Sequence, residues 1–396
     1  MSRLFISHSS ADNPAAFALA QWLTANNYGD YFLDTDSQRG LVPGERWMDQ
    51  LRAAADKCEA VLCLISPNWL ASEWCWDEFR LARFLHKRIF ALIVADVPRD
   101  TLPREMKAEW QLCDLIGPDP IQDFAVGGAT VSFRQEGLER LRRGLERAGL
   151  DPLGFPWTND RPPYPGLRAL EAEDAAIFFG RDSALIRAMD QVRGMAEAGT
   201  DRLLVILGAS GAGKSSFLRA GLWPRLARDD THLFPLPVIR PENDAMRGLA
   251  AALAGAYDRL GVRRAVGDIK AALSRGEAAF LAILDDLAAR ARSRLAHMAP
   301  DDPPPTLVLA VDQAEELLNP NGGAEAATFR ALLSAALAPG RRMLAIATVR
   351  TDRYDRMQDQ ALFPGVGRAL FDLFPMERTE FRAVIEGPAF SPSYSP

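Results

Sequence analysis

The sequence predicts an α/β protein of two domains, each a parallel sheet wrapped by helices, with a proline-dense stretch between them. Three observations carry that expectation. Residues 1–150 alternate short apolar runs with helical patterns, residues 151–166 hold five prolines in sixteen positions, and residues 167–396 resume the alternation with a different residue pattern. Alternating strand and helix segments imply parallel strands with helices on the sheet faces. No internal repeat unites the two halves.

Composition narrows the class. The 396 residues are 48% hydrophobic and 25% charged, ordinary globular usage that excludes collagenous and disordered chains. A net charge of −6 leaves no global basic footprint, so a nucleic acid or an anionic membrane would need a local patch, and none stands out. The longest apolar stretches, Ala60–Ile65 and Ile89–Ala95, fall short of the roughly 20 residues of a membrane-spanning helix. The N-terminus turns polar after Leu4-Phe5-Ile6, without a signal-peptide core. A cytoplasmic protein is expected. All four cysteines (Cys58, Cys63, Cys75, Cys113) precede residue 114 and none has CxxC spacing, which points to buried thiols in place of a zinc site or a disulfide framework. His86, His232 and His297 have no partners at metal-ligand spacing.

In the first domain, Leu4–Ser7, Asp30–Leu33, Ala60–Ile65 and Ile89–Val94 are short apolar runs that suit strands. Pro14–Ala25, Arg46–Ala55 and Trp76–Leu85 carry helical periodicity. The stretch 151–166 cannot continue a helix or a ladder, because each proline lacks a backbone donor and fixes φ; it is a linker between domains at 1–150 and 167–396. In the second domain, strands are expected at Leu203–Leu207, Pro237–Arg240, Leu307–Val311 and Leu344–Val349. Helices are expected at Asp182–Ala198, Ser215–Leu226, Glu277–Ala296 and Ala324–Leu337.

Gly208-Ala-Ser210-Gly211-Ala-Gly213-Lys214-Ser215-Ser216 fits GxxxxGK[ST], follows an apolar run and opens a helical pattern, the context this phosphate-binding loop requires. Glycines let backbone N–H groups face the phosphates, Lys214 supplies a compact cation to the β/γ oxygens, and the Ser215 hydroxyl can ligate Mg²⁺. Only five of the 46 basic residues are lysines, so a lysine at this place is informative. A second element is the apolar run Thr306–Val311 ending in Asp312, which can hold the Mg²⁺ shell beside Ser215. Glu315 or Glu316 could orient a hydrolytic water. No [NT]KxD motif surrounds any lysine, which points to adenine as the base and to ATP or ADP as the nucleotide.

Five segments in order resemble the novel STAND-type NTPases, AAA-related ATP switches of signalling proteins. They are Phe178-Phe179-Gly180-Arg181-Asp182, the loop Gly208–Ser216, Phe217-Leu-Arg-Ala-Gly221-Leu-Trp-Pro224, Val311-Asp312-Gln-Ala-Glu-Glu-Leu317 and Val349-Arg350-Thr-Asp-Arg-Tyr354. The resemblance implies that Gly180 and Arg181 flank the adenine, that Lys214, Ser215 and Asp312 serve the phosphates and Mg²⁺, and that Arg350 belongs to the γ-phosphate-sensing region. The family continues into further helical elements, whereas this sequence stops at Pro396, so a truncated switch is an open expectation.

At the N-terminal side, Leu4-Phe5-Ile6-Ser7-His8-Ser9-Ser10-Ala11-Asp12, the loop Asp34–Arg46 with Trp47, the run Ala60–Trp69, and Ser72-Glu-Trp74-Cys75-Trp-Asp-Glu78 resemble a TIR domain, implying a flavodoxin-like parallel sheet. Many bacterial TIR domains cleave NAD⁺ at the nicotinamide bond through the glutamate of a Trp-x-x-x-Glu pattern. The resemblance places that role on Glu78, with Trp74 one turn before it. One carboxylate suffices, because nicotinamide leaves a pyridinium cation as a neutral base and needs no general acid. Ile6, Ser7 and His8 at the end of the first strand lie where open parallel sheets bind ligands, and Arg39 and Trp47 are further NAD⁺-contact candidates.

Together these resemblances imply a bacterial defence or stress effector in which ATP binding controls self-association of an NAD⁺-cleaving TIR domain. In such an assembly a neighbouring copy's Gln38–Arg46 loop completes the cleft, and an unidentified ligand or protein supplies the trigger. Two alternatives stay open: a noncatalytic TIR scaffold regulated by nucleotide, and an ATP-driven remodelling motor with TIR as a localisation tag.

Overall fold

The computed structural model describes residues 4–33, 58–100, 102, 106, 112–118, 120–150, 154–157, 161–228, 233–241, 244–294, 303–318, 323–358, 363 and 365–390. The chain divides into two compact units, residues 1–154 and 155–396. Arg39, Trp47, the expected helix Arg46–Ala55 and the loop Gln38–Arg46 lie outside the described residues.

The first unit is built on β1 (Leu4–Ser7), α1 (Asn13–Ala25), β2 (Tyr31–Leu33), β3 (Ala60–Ile65), α2 (Pro67–Ala71), α3 (Glu73–Phe84), β4 (Arg88–Ile93) and β5 (Leu112–Asp114). Its five strands are parallel in the order β2-β1-β3-β4-β5, the flavodoxin-like winding. β3 is buried at all six positions because both sheet faces are covered, which is why it reads as an unbroken apolar run. Period-two alternation divides it. Leu62 and Leu64 pack with Leu19 and Leu23 of α1, while Val61, Cys63 and Ile65 pack with Trp69 of α2 and Cys75 and Phe79 of α3. All four cysteines are free and buried.

Two features of this unit depart from the sequence expectation. An antiparallel hairpin, β6 (Ile121–Val126) and β7 (Ala129–Arg134), precedes α4 (Gln135–Arg147). Its two-residue turn, Gly127-Gly128, has φ of 56° and 85° at the two glycines, the geometry a tight hairpin requires and the signal that marks it. α3 begins at Glu73, ahead of the expected Trp76, because the Ser72 side chain caps it by accepting from Cys75 N.

In the second unit the strands are β8 (Asp201–Gly208), β9 (Leu233–Pro235), β10 (Thr306–Val311), β11 (Met343–Arg350) and β12 (Gly367–Asp372). They are parallel in the order β12-β8-β11-β10-β9. α5 (Asp182–Ala198) precedes β8, and α6 follows it as three consecutive pieces, Lys214–Ser216, a π-helical Phe217–Leu222 and Trp223–Arg228. α7 (Ala245–Arg259), α8 (Val266–Leu273), α9 (Glu277–Arg294), α10 (Gly323–Ala336) and α11 (Arg378–Phe390) complete the set. Leu204 and Ile206 of β8 face α5 and α6; Leu203, Val205 and Leu207 face the side of α7, α9 and α10.

Three expectations are corrected here. The strand predicted at Pro237–Arg240 forms its ladder earlier, at Leu233–Pro235, and Ile239 makes only an isolated bridge to Val311. Pro237 cannot donate, so the ladder breaks there. The helix predicted at Ser215–Leu226 carries the π insertion. Gly221 within it approaches Phe178 and Leu185 so closely that an added Cβ would sit 2.8 Å from each. β12, an edge strand of mostly half-exposed residues, has no strong apolar run and was not anticipated.

Residues 155–166 belong to this second unit. Arg228 lies over the Phe155 ring at 3.8 Å and Arg161 over Trp157 at 4.9 Å.

Phe217 is fully buried and stacks on Phe371 with ring centroids 5.7 Å apart. Truncating it to Ala is expected to destabilise the second unit by about 3–5 kcal/mol. Hydrogen exchange should accelerate across β8 and β12 while β3 keeps its rate; unchanged exchange in β8 would contradict this packing.

Candidate functional site

Each unit carries a candidate site at the C-terminal end of its sheet. In the first, Ser7 ends β1 in register with Cys63 of β3, beside the point where the strand order reverses and open α/β sheets place ligands. Trp69, fully buried, donates from Nε1 to Ser7 Oγ at 3.1 Å. α2 starts at Ser66, whose hydroxyl accepts from Trp69 N at 2.9 Å and donates to Asp12 at 2.5 Å; Asn68 donates to the other Asp12 oxygen at 2.8 Å. Asp12 thus ties the loop after β1 to the start of α2.

Glu78, half-buried on α3, faces this strand end. Burial pushes the Cys63 thiol well above its ordinary value, and the Glu78 charge pushes it further, against a hydrogen bond with Ser7. Cys75 is pushed up to about 11, again chiefly by burial, with the Ser72 hydrogen bond opposing and the Glu78 and Asp12 charges adding. Both thiols are therefore held neutral. Of the other expected contacts, Ser7 is buried inside the site, and Ile6 is 1% exposed with its side chain in the core. His8 Nε2 lies 2.8 Å from Asn13 Oδ1 at the start of α1, and Trp74 is 52% exposed on α3. Trp69, Asp12 and Ser66 lie inside the motif segments of the sequence but carried no assigned role there; the Ser66-Pro67 pair before a short helix was the available signal.

In the second unit, the loop between β8 and α6 turns at Gly211 and Gly213, with φ of 79° and 83°, as only glycine readily does. Lys214 Nζ donates to the carbonyls of Gly208 and Ala209 at 2.9 Å each. Burial lowers the Lys214 value, while the Glu315, Asp312 and Asp352 charges oppose that and Arg350 adds to it. Ser215 Oγ donates to Asp312 Oδ1 at 3.0 Å, and Thr348 Oγ1 donates to the same oxygen at 2.7 Å while accepting from Gln313 N at 2.8 Å. On its other side Asp312 Oδ2 meets Arg219 Nε at 3.2 Å and Arg240 Nε at 3.7 Å. An isolated buried carboxylate would cost several kcal/mol; these partners offset that cost. Arg219, Arg240 and Thr348 were not anticipated, since each lies far in sequence from Asp312.

A cavity of about 790 Å³ opens over this loop, lined among others by Ser210, Gly211, Lys214, Ser215, Glu315 and Arg350. Gly213, Ser216 and Glu316 also line it. Arg350 holds Asp352 with two hydrogen bonds of 2.9 Å. Glu315 is half-buried, and its Oε2 is buried with no hydrogen-bond partner among the described residues. Burial raises its value, opposed by the Lys214 charge and by hydrogen bonds from backbone N–H groups, Arg350's among them. A hydroxyl, a carboxylate 3.0 Å away and this orphaned oxygen form a hard-oxygen donor set that fits Mg²⁺. The cavity's walls do not include Gly180 or Arg181. Gly180 (φ 81°) is pressed against Val384 and Glu380 of α11, and Arg181 donates to Phe374 O at 2.6 Å and Ala212 O at 3.1 Å. Gly208 closes the base of the loop, where an added Cβ would lie 3.0 Å from Leu373 O. Among the described residues no cluster of three His, Cys, Asp or Glu forms a metal site, and no helix is long and apolar enough to cross a membrane.

Because Glu315 is raised, the folded protein keeps this proton to higher pH than the unfolded chain. Its contribution is fully present below the ordinary carboxylate range and is lost as pH rises through the raised value. The neutral variant Glu315→Gln should therefore gain stability relative to wild type between about pH 4 and about pH 7. Denaturant melts of the nucleotide-free protein measure the gain; an equal difference at both values would contradict the shift.

Comparison with known proteins finds a family match on each unit. Residues 4–125 match the family described as TIR domain, and residues 163–394 match Novel STAND NTPase 1. No curated protein matches the chain. Among solved structures, the Walker-type ATPase paby2304 of Pyrococcus abyssi is 16% identical, over 56% of this chain and 60% of that one, at a TM-score of 0.36. The Aeropyrum pernix ORC2 protein in its ADPNP–ADP complexes is 13% identical, over 53% and 52%, at 0.37. The Aeropyrum pernix ORC1 protein in complex with DNA is 16% identical, over 57% and 52%, at 0.33. This chain thus spans 52–60% of those proteins' own lengths. The two matched domains support a nucleotide-regulated signalling protein. With more than half its residues inside that match, the chain belongs to the Novel STAND NTPase 1 family and carries a TIR domain ahead of the NTPase domain.

Proposed function

We propose that the protein is a signalling or defence effector in which an ATP-binding switch controls self-association of a TIR domain that hydrolyses NAD⁺ to nicotinamide and ADP-ribose. The observation that carries the enzymatic part is Glu78. It is half-buried on α3 between Cys75 and Phe79, which pack against Cys63 and Ile65 of β3, so the carboxylate stands on the helix that covers the C-terminal half of that strand, near the edge where such sheets receive ligands. The ribose of NAD⁺ develops oxocarbenium charge as nicotinamide departs. A carboxylate held in a half-buried site stabilises that charge more than one in bulk water. Water then accepts the ribosyl group and nicotinamide leaves without protonation, so a single acidic residue is enough. Ser7, positioned by Trp69, and the exposed Trp74 are the neighbouring groups available to orient the substrate.

The regulatory part is supported by the loop 208–216. Its backbone amides and Lys214 suit the phosphates of ATP or ADP, and Ser215 and Asp312, with Glu315 nearby, would hold Mg²⁺. Mg²⁺ there would neutralise phosphate charge. Arg350 borders the same cavity from the end of β11, which supports a contact with the terminal phosphate. Self-association raises local concentration and turns weak TIR contacts into an ordered array, the step nucleotide state would govern.

Concentrated or artificially clustered full-length protein should release nicotinamide from NAD⁺. Glu78→Gln should lower the rate by about a hundredfold or more, and Lys214→Ala should change how the rate depends on ATP. Intact NAD⁺ in clustered wild-type samples would leave a nucleotide-regulated docking protein.

A further inference from the structure

The segment 161–171 runs from the proline-dense stretch along the nucleotide cavity of its own unit. Arg168, with Leu167 and Ala169, lines the cavity together with Lys214, Glu315 and Arg350. Gln313, Glu315, Glu316 and Arg350, from the ends of β10 and β11, line the same cavity, and in the nucleotide reading above these flank the metal and the terminal phosphate. The same segment is fastened on both sides of the metal-binding carboxylate. Leu170 N donates to Ser216 Oγ at 3.0 Å, and the Glu171 carboxylate is held by Arg219 and Arg240, whose other partner is Asp312.

Arg168 at present donates to Asp174, at 2.8 and 3.2 Å. Asp174 does not depend on it. That carboxylate, fully buried, also accepts from Arg161 at 2.5 Å and from Glu171 N at 2.9 Å, so Arg168 can leave without stranding a buried charge. The Arg168 side chain is 47% exposed, so the guanidinium can turn toward the cavity while the buried carboxylate keeps its other two donors. A triphosphate offers a planar fork a stronger, charge-assisted pairing.

We infer that Arg168 is a further phosphate-binding residue, gripping the terminal phosphate of a bound nucleoside triphosphate and thereby coupling the 161–171 segment to the nucleotide state. This rests on the nucleotide-switch reading above. A diphosphate presents no group at that end, so Arg168 stays on Asp174 with ADP and transfers with ATP. The segment leads directly back to the proline-dense stretch after the TIR unit, which makes it the covalent route by which phosphate occupancy reaches the effector.

Calorimetric titration of the full chain with ATP and with ADP, each with Mg²⁺, tests this. Arg168→Ala should weaken ATP by about tenfold to a hundredfold and leave ADP unchanged. Lys214→Ala should weaken both. Arg161→Ala removes the other Asp174 partner and should not discriminate between the nucleotides. In wild type, hydrogen exchange at Ala169 and Leu170 should be slower with ATP than with ADP, and Arg168→Ala should abolish that difference. Equal weakening of ATP and ADP by Arg168→Ala, or an Arg161→Ala profile matching it, overturns the role of Arg168 while leaving the nucleotide switch intact. Wild type binding neither nucleotide overturns the switch itself.

Discussion

Asp312 is a charge taken wholly out of water, and the arrangement around the nucleotide site follows from the need to compensate it. Ser215 and Thr348 donate to one oxygen, while Arg219 and Arg240 pair with the other. These four groups come from the P-loop helix, from β11 and from the residue after the β9 region, so the carboxylate draws three neighbouring elements to a single point. Breaking a buried pair from one side costs several kcal/mol, because the remaining charge stays desolvated. The network is therefore both a positional clamp for the Asp312 carboxylate and a constraint on how the sheet end can move.

From that clamp the contacts lead outward through Glu171, which Arg219 and Arg240 share with Asp312, to the capping box that Glu171 and Asp174 form at the start of the turn 172–177. The consequence is that the residues preceding the NTPase sheet are not a passive tether. They are bonded to the groups that would sense phosphate and metal, through discrete ion pairs that have alternative partners. Switching of this kind needs a small set of exchangeable charge contacts in place of continuous deformation of a packed core.

The TIR unit obeys a different constraint. Its site is assembled mainly by burial. A sealed tryptophan, two neutral thiols and a buried serine surround the carboxylates Glu78 and Asp12 near the strand ends. A carboxylate in such surroundings interacts strongly with a positive centre brought next to it, which is the electrostatic requirement for cleaving a bond to a departing pyridinium.

Elements governed by local rules were legible in the sequence. The fully buried strands Leu4–Ser7 and Ala60–Ile65 announced themselves as apolar runs, and the phosphate loop as a glycine spacing that backbone conformation alone demands. Glu78 and Asp312 could be singled out because each sits in a contiguous motif. The sequence did not determine what depends on distant residues meeting. Arg219, Arg240 and Thr348 converge on Asp312 only through strand order, Gly221 in the π-helical piece of α6 meets Phe178 and Leu185 from distant parts of the chain, and edge strand β12 is defined by its pairing with β8 instead of its own hydrophobicity. Periodicity encodes which side of an element is buried, but not which neighbour covers it; that choice, and with it the placement of Arg168 against the phosphate cavity, belonged to the tertiary structure.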